Sequence, residues 1–168
     1  MSNSNHSGRQ SRRRLLGAAG AVLTLGVAGC ADSGTNSPSY DRRSIDIPDD
    51  AESRTPQEAT AAAQQAIAET SNAVAPIDAV DLTGHEFVFE SGYLGATVQG
   101  TVVNRATDRI TLTEVRVRVY NSDDQILGQY VDRVADLDSN KTWSFTAILL
   151  ESPSDIAAYD IAALGTPV

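Results

Sequence analysis

The chain is poor in the residues from which several common kinds of site are built. Its 168 residues include one cysteine, two histidines and one methionine. A single cysteine excludes a disulfide framework within the chain and a cysteine-rich zinc site, and so few soft ligands leave little material for a copper or iron centre. The formal net charge of −9 makes the chain a poor partner for nucleic acid phosphates. We therefore expect no metal, no cofactor and no nucleic-acid partner.

The chain also lacks an apolar run of the length that a membrane-spanning helix needs. The uncharged run from Leu15 to Gly29 has 15 residues, whereas a spanning helix needs roughly 20. Four arginines and no acidic residue precede this run. Because a basic start followed by a short apolar stretch is typical of an export signal, residues 1–29 are predicted to be a signal peptide that is removed from the mature protein.

Two short motifs refine this interpretation. The stretch SRRRLL at 11–16, which contains Arg12 and Arg13, resembles the twin-arginine export motif, and the resemblance implies transport of a folded protein. The stretch VAGC at 27–30 resembles a lipobox, which implies that Cys30 receives a lipid and becomes the new N-terminus. The mature protein would then sit on the extracellular face of the cell membrane, held by lipid through Cys30. The alternative is an ordinary signal peptide with an incidental cysteine, or an uncleaved membrane helix.

The mature part is strongly acidic and nearly free of lysine. From residue 30 onward it carries 9 basic and 22 acidic groups, a net charge of −13, and Lys141 is its only lysine. This balance resembles that of proteins from extremely halophilic archaea, where a Debye length of about 3 Å at molar salt suppresses repulsion between carboxylates. A moderately acidic bacterial protein is the alternative.

Two segments lead from the anchor to the folded region. Residues 30–54 are polar and rich in Ser, Asp and Pro, a composition that favours a disordered, flexible tether. Residues 55–73 are predicted to form an alanine-rich helix, because Thr55, Pro56 and Glu58 form a capping box with proline in the first turn. Ile67 is the only large apolar residue in this helix, so we expect a weakly docked stalk rather than close packing.

The pattern changes to short strands over residues 79–165. In the stretch from Ile110 to Tyr120 the valines at 115, 117 and 119 alternate with polar residues, whereas Ile110 and Leu112 have the opposite parity. We therefore expect a β-bulge near Thr113 and Glu114. Six to seven strands joined by polar turns predict an all-β fold, a small antiparallel immunoglobulin-like β-sandwich.

Several segments of this region resemble the FxLYD domain family. They are GTVVN at 100–104, VRVRVYN at 115–121, LG at 127–128 and KTWSF at 141–145. The motif that names the family falls on 117–121, where Tyr120 matches and Val117, Val119 and Asn121 replace Phe, Leu and Asp. The resemblance implies a small immunoglobulin-like sandwich of the kind found on secreted and membrane-anchored prokaryotic proteins, and it brings no established catalytic residues.

Few residues are candidates for chemistry. His85 is the only histidine of the mature part; without a Gly-x-Ser-x-Gly turn, we expect a surface or strand-edge histidine rather than a catalytic one. The aspartates of the turns, at 108, 123, 124, 136 and 138, do not form a calcium-binding series and are expected to be solvated. Arg116 and Arg118 form a small basic stripe that we expect to pair with acids such as Asp132 rather than to dock an anionic partner.

Two further residues have simple interpretations. Trp143 begins an apolar face and is expected in the core rather than in a stacking site. Asn140 begins the sequon Asn-Lys-Thr in a predicted turn, which makes it a candidate for glycosylation.

Together these observations favour a protein that is not an enzyme. The expected function is that of a lipid-anchored cell-surface protein whose sandwich contacts another envelope protein or a glycan. The alternative is an accessory or substrate-binding subunit of an envelope transport or secretion complex.

Overall fold

The computed structural model describes residues 37–48 and 51–167. Within these residues there are seven strands, one α-helix and a single 3₁₀ turn, Pro153–Asp155. The strands are β1 (Asp41–Ser44), β2 (Val80–Phe89), β3 (Ala96–Asn104), β4 (Ile110–Tyr120), β5 (Ile126–Leu137), β6 (Thr142–Ile148) and β7 (Ala158–Gly165), and the helix α1 is Pro56–Gln65. No helix in this part of the chain is long and apolar enough to cross a membrane.

The strands form two antiparallel sheets, which confirms the predicted all-β sandwich. The four-stranded sheet has the order β1-β7-β4-β5 and the three-stranded sheet the order β2-β3-β6. Immunoglobulin constant domains also have four strands facing three, in the order ABED and CFG. The two folds therefore share the arrangement of four strands facing three, but the strands follow one another along this chain in a different order.

The main core lies between the sheets, where alternate residues of each strand meet. The valines at 115, 117 and 119 of β4 are fully buried and pack with Val98, Val102 and Phe145 from the opposite sheet. Trp143 packs against this core with its ring centroid 5.9 Å from that of Phe145, as expected. The period of two in the sequence therefore identifies the inward face correctly.

The predicted β-bulge near Thr113 and Glu114 is wrong. The pairing of β4 with β5 is continuous there, and its register shifts instead between Val119 and Tyr120. Ile110 has the outward parity of Glu114 and Arg116, yet it is fully buried, because the outer face of this sheet is covered as well. Two covered faces, and not a shift of register, explain why apolar residues of both parities occur along β4.

The outer face is covered by residues 66–79, which we call the crossing segment. It starts at β5, where the Val131 amide donates to the Ile67 carbonyl over 2.7 Å. It ends at β7, where Ala75 and Gly165 exchange two backbone hydrogen bonds. In between, Val74 packs with outward side chains of β7 in a second, smaller core. The segment therefore spans the four-stranded sheet from β5 to β7.

The regions before the sandwich differ from the expectation in two ways. The capping box at Thr55 and Glu58 is present, but the helix ends at Gln65, eight residues before the predicted end. Ala62 is fully buried and Ala66, just after the helix, packs against the main core, but most other residues of the helix are exposed, which agrees with the expected weakly docked stalk. Residues 41–44, within the predicted tether, form β1 along β7.

Candidate functional site

The residues predicted to carry export and anchoring are not part of the described structure. Cys30, Arg12 and Arg13 all lie outside the described residues. Asn140 lies in the turn between β5 and β6, is exposed, and has a positive φ of 57°, a conformation that asparagine tolerates better than most residues. Its side-chain amide donates to the Ser139 hydroxyl over 2.9 Å. The sequon is therefore sterically accessible at the end of a turn.

His85 lies on an edge strand, which is one of the two expected positions, but it is buried and fully engaged and does not lie on the surface. It lies in β2 and is 8% exposed. Its Nε2 is 2.8 Å from Asp41 Oδ2 and its Nδ1 is 2.8 Å from the Tyr159 hydroxyl. Because a carboxylate only accepts hydrogen bonds, Nε2 carries a proton, and in the neutral ring Nδ1 accepts the proton of Tyr159.

This arrangement joins three strands at the open edge of the sandwich. Asp41 belongs to β1 and Tyr159 to β7, both in the four-stranded sheet, whereas His85 belongs to the edge strand of the three-stranded sheet. Arg43 of β1 also donates to the His85 carbonyl over 3.3 Å. The hydrogen bond from His85 is the main reason that the pKa of Asp41 lies below its ordinary value. The cluster therefore acts as a polar link between the sheets.

The same cluster is poorly suited to nucleophilic catalysis. A carboxylate and an imidazole in contact resemble part of a catalytic triad, but the third member here is Tyr159, which is 1% exposed. Burial raises the pKa of its hydroxyl, which disfavours the reactive anion. A groove of about 540 Å³ runs beside the cluster between β1, β2 and β7. Both ring nitrogens of His85 are already hydrogen-bonded to the protein, so the geometry favours a structural role.

The aspartates of the turns are separated by the length of the sandwich. Asp123 and Asp124 lie between β4 and β5, whereas Asp108, Asp136 and Asp138 lie toward the opposite ends of these strands. Asp124 pairs with Arg42, and Asp136 lies 3.5 Å from Arg109. In residues 37–48 and 51–167 no group of three or more acidic, histidine or cysteine side chains is placed to hold a metal ion.

The two outward arginines of β4 pair with acids, although not with Asp132. Arg116 Nε donates to Glu114 over 2.7 Å, and the Arg118 guanidinium makes two hydrogen bonds to Asp160. Asp132 instead accepts from backbone amides. The bonds to Asp160 are the main reason that the pKa of Arg118 is raised. The basic stripe is therefore neutralised within the protein.

One end of the sandwich carries the large apolar side chains that the fold leaves exposed. This loop end consists of residues 45–48, 51–55, 90–95, 121–125 and 149–157, together with the first residues of β5. Four large apolar side chains are at least 37% exposed among the described residues, and all lie here; we call them the end patch: Tyr93, Ile126, Leu127 and Leu150.

Arg54 and Glu151 connect the parts of the end patch. The Arg54 guanidinium donates to the carbonyls of Tyr93 and Leu94, and Arg54 also lines a small cavity together with Leu150. Glu151 accepts the hydroxyl proton of Tyr130 over 2.9 Å, which places the loop after β6 beside the start of β5. Tyr93 and Leu150 therefore lie in two loops that Arg54 connects, and the start of β5 lies beside the second of these loops.

Neither the end patch nor the link around His85 is among the features expected from the sequence. Ile126 and Leu127 are consecutive apolar residues after the acidic turn at 121–125, and consecutive apolar residues on a strand cannot both face the core. That signal does not by itself identify an exposed position, because the consecutive residues Tyr130 and Val131 of the same strand are both buried. For the link, 74 positions of sequence separate His85 from Tyr159, and no local pattern indicates their contact.

Comparisons with known proteins give no relative for this chain. No family model matches it, and no curated protein or solved structure shows a match.

Proposed function

We propose that this protein is a lipid-anchored protein of the outer cell surface whose sandwich is a non-catalytic interaction module. In this proposal Cys30 carries the lipid, the twin-arginine motif directs export of the folded chain, and the resemblance to the FxLYD family reflects a common type of surface module. The observation that carries the interaction role is the end patch, since exposed apolar side chains that cluster in one region of a protein are typical of binding sites and these four all lie at the loop end.

The position of the end patch supports this role. Strand β1 runs from Asp41, which pairs with Ile161 in the middle of β7, to Ser44, which pairs with Ala158 at its start. The described chain therefore enters β1 from the side opposite to the loop end. A module tethered through its N-terminal part would present the end patch away from its point of attachment, where a partner has access to it.

The anchor is tested by replacing Cys30 in the full chain and fractionating the cells. The native protein should sediment with membranes and be released by detergent but not by salt. Cys30→Ala should appear in the medium or remain unprocessed, because each buried methylene of a lipid contributes about 0.8 kcal/mol to membrane binding. A processed Cys30→Ala protein that stays in the membrane fraction would contradict the lipid anchor.

The interaction role is tested with a photoreactive amino acid in the living cell. Placed at Leu127, it should give a discrete protein adduct, whereas the same amino acid at Thr111, an exposed position of β4, should not. Equal adduct patterns from both positions, or no adduct from Leu127, would contradict docking through the end patch.

A further inference from the structure

Among the described residues, the loop end differs from the opposite end of the sandwich in charge as well as in apolar surface. We propose that it docks a protein surface with an apolar centre and a rim of arginine or lysine. This inference rests on the proposed function, because it takes the end patch to be the docking surface and adds the chemistry of what binds there.

Acidic groups are concentrated at the loop end. Its described loops hold seven carboxylates and one guanidinium, that of Arg54, and the carboxylates are those of Asp46, Glu52, Glu90, Asp123, Asp124, Glu151 and Asp155. The loops of the opposite end, residues 76–79, 105–109, 138–141 and 166–167, hold three carboxylates and three basic groups. The acidic groups are therefore distributed unevenly between the two ends, whereas a general adaptation of the surface would distribute them evenly.

The one basic group of these loops is not presented to a partner. Arg54 donates to the backbone carbonyls of Tyr93 and Leu94, and burial lowers the pKa of its guanidinium. Its hydrogen-bond donors are thus directed into the loop between β2 and β3. Arg42 of β1 also reaches this end, where it pairs with Asp124. Asp46, Glu52, Asp123 and Asp155, by contrast, are exposed. A partner meets apolar side chains surrounded by negative charge.

This combination selects among the surfaces that could cover the end patch. A second copy of the chain in a symmetric contact would bring acidic rim against acidic rim. Salt screens charges much less once an interface partly buries them, and like charges across an interface cost several kcal/mol. An anionic lipid headgroup would be repelled in the same way. A basic rim pairs with the carboxylates at the edge, where such pairs set orientation and exclude wrong partners, while the apolar centre supplies most of the affinity.

The test combines crosslinking at Leu127 of the full chain with charge reversal at either end. The variant Asp123→Lys/Asp155→Lys should lower the yield of the adduct at least tenfold. The matched control Asp108→Lys/Asp138→Lys makes the same change of charge at exposed positions of the opposite end and should alter the yield less than twofold. Replacing the basic residues of the partner next to the crosslinked position with glutamate should restore the adduct with the first variant.

The outcomes of this test separate the inference from the proposed function. No adduct from Leu127 overturns both. If the adduct yield changes equally in the two charge-reversal variants, or in neither, the partner does not have the inferred basic rim, but the docking role of the end patch stands. An adduct with a second copy of the chain, with lipid or with a glycan overturns the inference directly, because each is a different occupant of the end patch.

Discussion

Replacing Glu114 with glutamine tests how the crossing segment is held on the outer face of the sheet. The Glu114 carboxylate is fully buried and accepts from the Ser71 amide over 3.0 Å and from Arg116 Nε over 2.7 Å. Arg133 lies 4.0 Å away, and the Arg116 guanidinium also donates to the Ser71 carbonyl over 2.7 Å. One side chain of β4 thus joins two arginines and the crossing segment.

The expected cost of Glu114→Gln follows from the bonds that it changes. The amide oxygen of glutamine can still accept from Ser71, so the main loss is the charge-assisted bond from Arg116, worth about 1.5–3 kcal/mol. Removing one partner of a fully buried ion pair costs about 3–5 kcal/mol, but the side chains of Arg116 and Arg133 are 17% and 33% exposed and keep some contact with water. We therefore expect the free energy of unfolding to fall by about 2–3 kcal/mol.

Denaturant unfolding of the full chain measures this change, with Glu52→Gln as the control, since Glu52 is exposed. Hydrogen exchange gives a local readout: the amides of Ser71 and Ala75 should exchange faster in Glu114→Gln, while that of Val117 in the core changes only with global stability. A loss below about 0.5 kcal/mol, or unchanged exchange at Ser71, would refute the idea that Glu114 holds the crossing segment.

Three further predictions concern other parts of the sandwich. Burial raises the pKa of Tyr130, so the stability that this group contributes is complete below pH ~10 and is lost as the pH rises toward its folded pKa. Tyr130→Phe should reduce this alkaline loss of stability, which has a slope of at most about 1.4 kcal/mol per pH unit. An unchanged alkaline unfolding curve would contradict this prediction. A Cβ at Gly100 would lie 2.2 Å from the Gly84 carbonyl oxygen, so Gly100→Ala should lower the free energy of unfolding by about 1–3 kcal/mol in a denaturant melt. The control Gly84→Ala should lower it far less, because a Cβ at Gly84 would have no atom within 4 Å. Equal losses of stability in the two variants would count against this reasoning. If Asn140 is glycosylated, its peptide from the native protein should carry the extra mass of a glycan. The variant Thr142→Ala removes the sequon without changing Asn140, so its peptide should have no glycan mass. A peptide without a glycan in the native protein would disprove the modification.

The features that the sequence predicts correctly depend on local interactions. The capping box at Thr55 involves residues three positions apart, and the alternation of the valines in β4 reflects the period of a single strand. Both can be recognised within a short window. The six strands within residues 79–165 and the antiparallel sandwich follow when the same alternation and the polar turns between strands are traced along the chain.

The features that the sequence does not predict depend on contacts between distant residues. Residues 41–44 have no apolar periodicity, and they become a strand only because the edge of β7 offers them backbone partners. The predicted helix stops at Gln65 because the following residues leave it to bond β5 at Val131. Propensity alone would continue an alanine-rich helix, so tertiary contacts decide where it ends.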